Sequence, residues 1–290
     1  MPSYLVTGAG GQLGQCFQAV AGQYPDHKLI FASRDKVDLN RPETLAEVYS
    51  QTPFEGILNC AAYTQVDLAE SEQTKAFEIN EKGVGHLIDF ALERQLKIIH
   101  FSTDFVFEGS QKLPYTETNP PHPLSVYGQS KWAGEQLLEA AALPTVIIRT
   151  SWLFSPYGAN FVKTILKKAK RKETLEVVAD QWGMPTSGLD LAEAVLQCLG
   201  HPQFFDFSLY HFAQGPVSSW YGFAQKILEL SGRDTPLRPT TTLAYPRAAR
   251  RPQNSALATT RFQKVLSLQP RNWEAALADC LQKIQADEVF

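Results

Sequence analysis

Tyr127 and Lys131 stand four residues apart in Ser125-Val-Tyr-Gly-Gln-Ser-Lys131. On a helix that spacing puts both on one face, with their heads close enough to share a site. A phenol can give up a proton, and an ammonium steadies the phenolate it leaves. Tyr-x-x-x-Lys also arises by chance on solvated helix faces, so its meaning depends on what the chain brings to it. A third candidate is Thr103. It follows the apolar run Leu96-Lys-Ile-Ile-His-Phe101, which should be a buried strand delivering Ser102-Thr103-Asp104 to a sheet rim.

The elements that must position these groups can be read in chain order. Tyr4-Leu-Val-Thr7 is a short apolar strand that stops at Gly8-Ala-Gly-Gly-Gln-Leu-Gly14, and a helical pattern continues through Cys16, Phe17 and Val20. Strand, glycine turn and helix form the setting in which such glycines bind a dinucleotide. Gly8 permits the tight turn, Gly11 lets backbone approach the pyrophosphate, and Gly14 allows close packing of helix on strand. The phosphates then meet free amides at a helix N-terminus. The second strand, Lys28–Ala32, ends at Ser33-Arg34-Asp35. An acidic residue at that place would take the ribose 2′-hydroxyl of NAD, whereas Ser33 and Arg34 suit the 2′-phosphate of NADP. Asp35 and Asp38 lie near enough to keep NADH open beside NADPH.

Pro42 suits a first helical turn. The strand Gly56–Cys60 runs into Ala61-Ala62-Tyr63, small residues that leave room for a ligand at the rim, and a helical stretch over 73–94 contains Asn80. Segment 114–123 is a Pro/Thr/Asn-rich loop, Ser125 is an N-cap, and Thr145–Arg149 is one more buried strand. This alternation predicts an α/β fold: a Rossmann-type doubly wound parallel sheet with a smaller C-terminal α/β substrate lobe. Residues 1–150 would form the NAD(P)-binding domain. Residues 151–290 would be mainly the substrate lobe, with helices over 188–200, 218–231 and 272–285, and with segments that could return to the first domain. The expected cofactor set is Gly8, Gly10, Gly11, Gln12, Leu13, Gly14, Ser33, Arg34, Asp38, Leu39, Ala61, Ala62, Tyr63 and Asn80, joined by Tyr127 and Lys131.

Composition narrows the classes. The 290 residues are 44% hydrophobic with net charge −3, enough for a large core and without the basic block that nucleic acid requires. Lys163 to Lys172 is the exposed side of a helix. No apolar run approaches the roughly 20 residues that span a bilayer, and Met1 leads at once into a strand rather than a secretory leader. Cys16, Cys60, Cys198 and Cys280 are scattered, as free thiols in a reducing compartment would be. A cytoplasmic enzyme without membrane or nucleic-acid partners is expected.

The motifs together resemble the extended short-chain dehydrogenase/reductase superfamily and, within it, the dTDP-4-dehydrorhamnose reductases. The resemblance runs nearly the full length: Gly8–Gly14, Asn59-Cys-Ala-Ala-Tyr-Thr-Gln-Val-Asp67, Ala69-Glu-Ser71, Ser102-Thr-Asp-Phe-Val-Phe107, Val126–Lys131, Arg149-Thr-Ser-Trp152, Asp180-Gln-Trp-Gly-Met-Pro-Thr186 and Arg251-Pro-Gln-Asn-Ser255. The glycine and Tyr-Lys motifs are shared by the whole superfamily, and the last three are particular to this branch. The resemblance implies Thr103, Tyr127 and Lys131 as the catalytic set and a dTDP 4-keto sugar as substrate. Tyr127 would be proton donor, with Lys131 and the positive nicotinamide of the oxidised complex lowering its pKa from about 10 toward the working range. It further implies substrate contacts at Thr103, Asp104, Phe105, Trp152, Asn160, Gln181, Arg251 and Asn254. Arg251 would meet the diphosphate, and Asn254 either its own loop or the nucleotide. Phe105 departs from the family, where a Tyr is common. A homodimer and a Mg2+ ion are compatible with the resemblance, but no residue pattern here derives either. Two relatives of the same fold stay open as alternatives: a non-catalytic NADP-binding regulatory subunit of the methionine adenosyltransferase β type, and a sugar-nucleotide epimerase or dehydratase.

Overall fold

The computed structural model describes residues 1–171 and 174–288. Lys172, the end of the basic helix face noted above, lies outside them. In chain order the strands are β1 (Ser3–Thr7), β2 (Lys28–Ala32), β3 (Gly56–Asn59), β4 (Lys97–Thr103), β5 (Thr145–Thr150), β6 (Leu153–Phe154), β7 (Leu175–Val178), β8 (Trp182–Gly183), β9 (Thr186–Ser187), β10 (Leu209–His211), β11 (Ser218–Ser219) and β12 (Leu237–Thr240). Six of them make the central sheet, ordered β10-β5-β4-β3-β1-β2. Every pairing in it is parallel.

Parallel strands need helical crossovers, so both faces of the sheet are covered and the strands are apolar on both sides. Helices α1 (Gln12–Val20), α2 (Glu43–Gln51), α3 (Val66–Ala69), α4 (Gln73–Phe77), α5 (Gly83–Arg94) and α6 (Val126–Ala140) follow the first strands. Later come α7 (Phe161–Lys170), α8 (Gly188–Cys198), α9 (Trp220–Leu230), α10 (Thr260–Leu266) and α11 (Trp273–Glu288). One face carries Val6, Leu58, Ile99, Phe101 and Ile148 against Phe17 of α1 and Leu191 and Val195 of α8. The opposite face carries Leu5, Ile57, Ile98 and Ile147 against Leu87 and Ile88 of α5 and Leu138 of α6. A separate core joins α7, α9 and α11 through Ile165, Phe223, Ile227 and Leu277.

Two features depart from the sequence reading. The helical stretch over 73–94 is interrupted at Glu78–Lys82 by a π turn that holds Asn80. Strand β10, three residues long, brings the chain back to the sheet edge beside β5. Too short for an apolar run, it was not expected, but α8 and α10 also pack on the first core.

Candidate active site

Strand order reverses between β1 and β3, the place where an open parallel sheet leaves a crevice at its carboxyl ends. The glycine turn follows β1, and Cys60–Tyr63 follows β3. They nearly touch: Gly8 has φ +61°, and a Cβ there would lie 2.7 Å from the Ala61 nitrogen. At Gly14 a Cβ would lie 2.5 Å from the Gly8 carbonyl oxygen, so only glycine lets α1 start this close to the turn. Gly11, the N-cap of α1, gives it no side-chain hydrogen bond, and its first turn has no acidic residue. An anion therefore meets unneutralised helix amides there. This cradle fits a dinucleotide.

The second strand ends as read. The Ser33 hydroxyl donates to Asp35, and Asp38 faces Arg34 at 3.7 Å and Arg41 at 3.9 Å. No carboxylate stands at the β2 end itself, and both nearby ones already face donors or cations of this chain. Gln12 reaches across to donate to the Leu153 carbonyl at 3.1 Å, tying the turn to the chain beyond β5. Leu13 and Leu39 are buried, and Gly10 lies open beside Ser33.

Thr103 ends β4, Asp104 follows it, and the first turn of α6 supplies Tyr127. Ser125 caps α6 by accepting from the Gly128 N–H at 3.2 Å, and Glu70 accepts from Val126 N–H at 2.9 Å. Two side chains thus fix the turn that carries the phenol. Phe105 packs edge-on against the Tyr127 ring, centroids 5.6 Å apart. Burial raises the Tyr127 pKa to about 12; the Thr103 hydroxyl lowers it and the Asp104 charge raises it. Asp104 is buried, accepts from the Thr103 hydroxyl at 3.1 Å, and leaves Oδ2 without a partner. Burial raises its pKa to about 7.

Lys131 is also on α6 but points elsewhere. Its Nζ lies 2.9 Å from His100 Nε2 and donates to the Phe101 carbonyl at 2.7 Å. Burial lowers its pKa to about 8, against Glu135 and Cys60, which raise it. In the cofactor-free chain burial dominates the phenol, and the Lys131 nitrogen is turned to the sheet. Neither His100 nor its partner Asn59 was in the expected set. The signal available was polar residues at the ends of apolar strand runs.

Several expected contacts are already occupied within the chain. Asn80 holds both backbone groups of Tyr63 and donates to Ser130, so it shapes the loop after β3 rather than facing the crevice. The Tyr63 hydroxyl donates to Glu72 at 2.9 Å, leaving its backbone, with Ala61 and Ala62, at the rim. Asn160 caps α7 and donates to the Ser155 and Tyr157 carbonyls. Gln181 donates to Thr242. Asn254 donates to the Gln111 and Lys112 carbonyls, which is the loop-holding role. Trp152 has φ +46° and stacks on Trp220 with centroids 3.6 Å apart, so one face is covered. Arg251 forms a two-pronged pair with Asp67, both distances 2.9 Å. Polar side chains near a crevice first satisfy their own loops, because an unmatched buried donor is expensive. Among the described residues no group of three or more His, Cys, Asp or Glu side chains could hold a metal ion. Nor is any described helix long and apolar enough to cross a membrane.

The family model for the RmlD substrate binding domain matches residues 3–286. The chain belongs to that family. The dTDP-4-dehydrorhamnose reductase of Aggregatibacter actinomycetemcomitans is 38% identical, covering 96% of this chain and 97% of that one. A solved structure of a dTDP-4-dehydrorhamnose reductase from Clostridium acetobutylicum superposes with a TM-score of 0.91 at 34% identity, covering 98% of this chain and 99% of that one. The enzyme of the same name from Bacillus anthracis, solved in complex with NADP, has a TM-score of 0.91 at 32% identity, with coverage of 98% and 100%.

Proposed function

We propose that the protein is an NADPH-dependent reductase that converts the 4-keto group of dTDP-4-dehydro-L-rhamnose to the alcohol of dTDP-L-rhamnose. The observation that carries this reading is the Tyr127 phenol beside the Thr103 hydroxyl, on the rim that also holds the glycine turn. The family relationship and the names of its members supply the sugar nucleotide. The bound dihydronicotinamide supplies a hydride to the carbonyl carbon.

The chain's own residues do the rest. Thr103 donates a hydrogen bond to the carbonyl oxygen and sets its orientation, a contribution of the oxyanion-hole kind. Tyr127 gives its proton to that oxygen as negative charge develops there: its O–H bond breaks, a new O–H forms on the sugar, and phenolate remains. A donor must hold its proton until it is needed, and a pKa of about 12 ensures this at neutral pH. Gly8 and Gly11 admit the pyrophosphate. Ser33 and Arg34 take the 2′-phosphate, which favours NADPH over NADH, since Asp35 and Asp38 already face Ser33 and Arg34. Lys131, one turn after Tyr127, would take the ribose hydroxyls on turning from His100 and the Phe101 carbonyl.

Mixing the purified protein with NADPH and dTDP-4-dehydro-L-rhamnose tests the reading. Stoichiometric loss of NADPH absorbance with formation of dTDP-L-rhamnose is expected. No NADPH oxidation at saturating substrate would overturn it.

A further inference from the structure

We propose that His100 favours the uncharged amine of Lys131 in the cofactor-free protein, and that Asn59 fixes the imidazole tautomer through which it does so. His100 is a positioning residue in this reading. The inference takes from the proposed function only its interest in Lys131.

Thr7, Asn59 and His100 sit side by side on β1, β3 and β4, on the face that packs against α6. Asn59 Oδ1 receives the Thr7 hydroxyl at 2.7 Å and the Ala61 backbone N–H at 3.2 Å. A backbone N–H is a donor only, so it decides which end of the Asn59 carboxamide is oxygen. The other end, Nδ2, lies 2.9 Å from His100 Nδ1 and must donate to it. A neutral imidazole accepting at Nδ1 carries its hydrogen on Nε2. His100 is neutral: burial, with Lys131 close by, lowers its pKa well below the ordinary histidine range.

That Nε2–H is 2.9 Å from Lys131 Nζ. An ammonium there would set N–H against N–H, because it has no lone pair. The amine has one and accepts, while one of its hydrogens goes to the Phe101 carbonyl. Glu135 and Cys60 pull toward the ammonium, but neither outweighs burial. Glu135, one turn further along α6, is taken by Arg149 at 3.0 Å. Burial raises the Cys60 pKa well above its ordinary value, so that thiol is uncharged. Tyr127 is protonated and Asp104 lies beyond it, next to Thr103. For Lys131 to become charged, His100 must move its hydrogen to Nδ1 and Asn59 must turn over. Ala61 N–H then loses its acceptor, at the point where the β3 loop meets Gly8. The charge on Lys131 is therefore linked to the backbone that shapes the cofactor rim.

Nitrogen NMR of the free protein, labelled with 15N-lysine and 15N-histidine, tests this without any substrate. The expected spectrum shows His100 in the Nε2–H tautomer and a Lys131 Nζ that passes to the uncharged-amine position well below the ordinary lysine midpoint, which burial lowers to about 8. Asn59→Asp presents acceptors to Thr7, Ala61 and His100 together. It should convert His100 to the Nδ1–H tautomer and raise the Lys131 midpoint by at least about one pH unit. A wild-type His100 in the Nδ1–H form, or a Lys131 that titrates at the ordinary lysine midpoint, overturns the proposal whether or not the protein reduces a sugar. If Asn59→Asp does not fold, the wild-type spectra alone decide.

Discussion

At Tyr127 the protein keeps a proton that a solvent-exposed catalytic phenol would hold less firmly. Tyr127→Phe should lower turnover at least about a hundredfold, the size expected for losing a general acid. NADPH affinity, read by fluorescence titration, should be little changed. Near-normal turnover in the variant would exclude the phenol as donor. Asp104 makes a second prediction through stability. Its pKa is about 7 in the folded chain against an ordinary 3.8, so the native state binds the extra proton between those values. Its contribution is full below the unfolded value and is lost as pH rises through the folded one. Melting curves of the wild type and Asp104→Asn should therefore diverge between about pH 4 and pH 7, with the wild type losing ground as pH rises. Parallel curves would show that the carboxyl is not perturbed. Residue type and spacing were enough to single out Thr103, Tyr127 and Lys131, and the structure sets Thr103 against Tyr127. The upward shift of the phenol was not legible, because it comes from burial, and neither was the pairing of Lys131 with His100, which lies 31 residues away.

Elements were legible where both faces of a strand had to be apolar. β1 to β5 fall within a residue or two of the runs read from sequence, since a parallel sheet under helices leaves little choice. The π turn at Glu78–Lys82 was hidden because its residues are ordinary helix formers and Asn80 shows its purpose only through Tyr63. β10 was hidden because its three residues gain their place from β5, not from their own pattern. The glycine turn is the element where sequence and geometry agree most closely, and it gives the third prediction. Gly14→Ala places a methyl 2.6 Å from the Ala9 Cα as well as against the Gly8 oxygen. Backbone on both sides cannot yield as a flexible side chain would, so the variant should lose about 1–3 kcal/mol of stability. Calorimetry checks that loss. NADPH binding should weaken as well, because α1 must back away from the turn whose amides meet the phosphates.

At the scale of the molecule, what matters is how the later chain is fastened over the sheet. Asp67, at the start of the short α3 helix after β3, grips Arg251 with both oxygens, and Arg251 also donates to the Ala249 carbonyl at 3.0 Å. Arg251 holds the Asp67 carboxyl below the usual carboxylate range. The loop so fastened also brings Arg247 to 4.0 Å from Asp67, and guanidinium groups of this kind would suit a diphosphate. The sequence offered Arg251 for that contact, but its partner Asp67 is 184 residues away, and no local pattern reports such a pair. The clasp is part-exposed, so solvent screening limits its worth to about 1 kcal/mol of stability. Its larger effect should be on substrate. Asp67→Ala and Arg251→Ala should each raise the KM for the sugar nucleotide on the order of tenfold, with NADPH affinity unchanged. If both act by releasing one loop, the double variant should be no worse than either single one, since coupled residues do not add. Raised salt should narrow the difference from wild type. Additive effects in the double variant would instead mean that Arg251 acts on the diphosphate independently of Asp67.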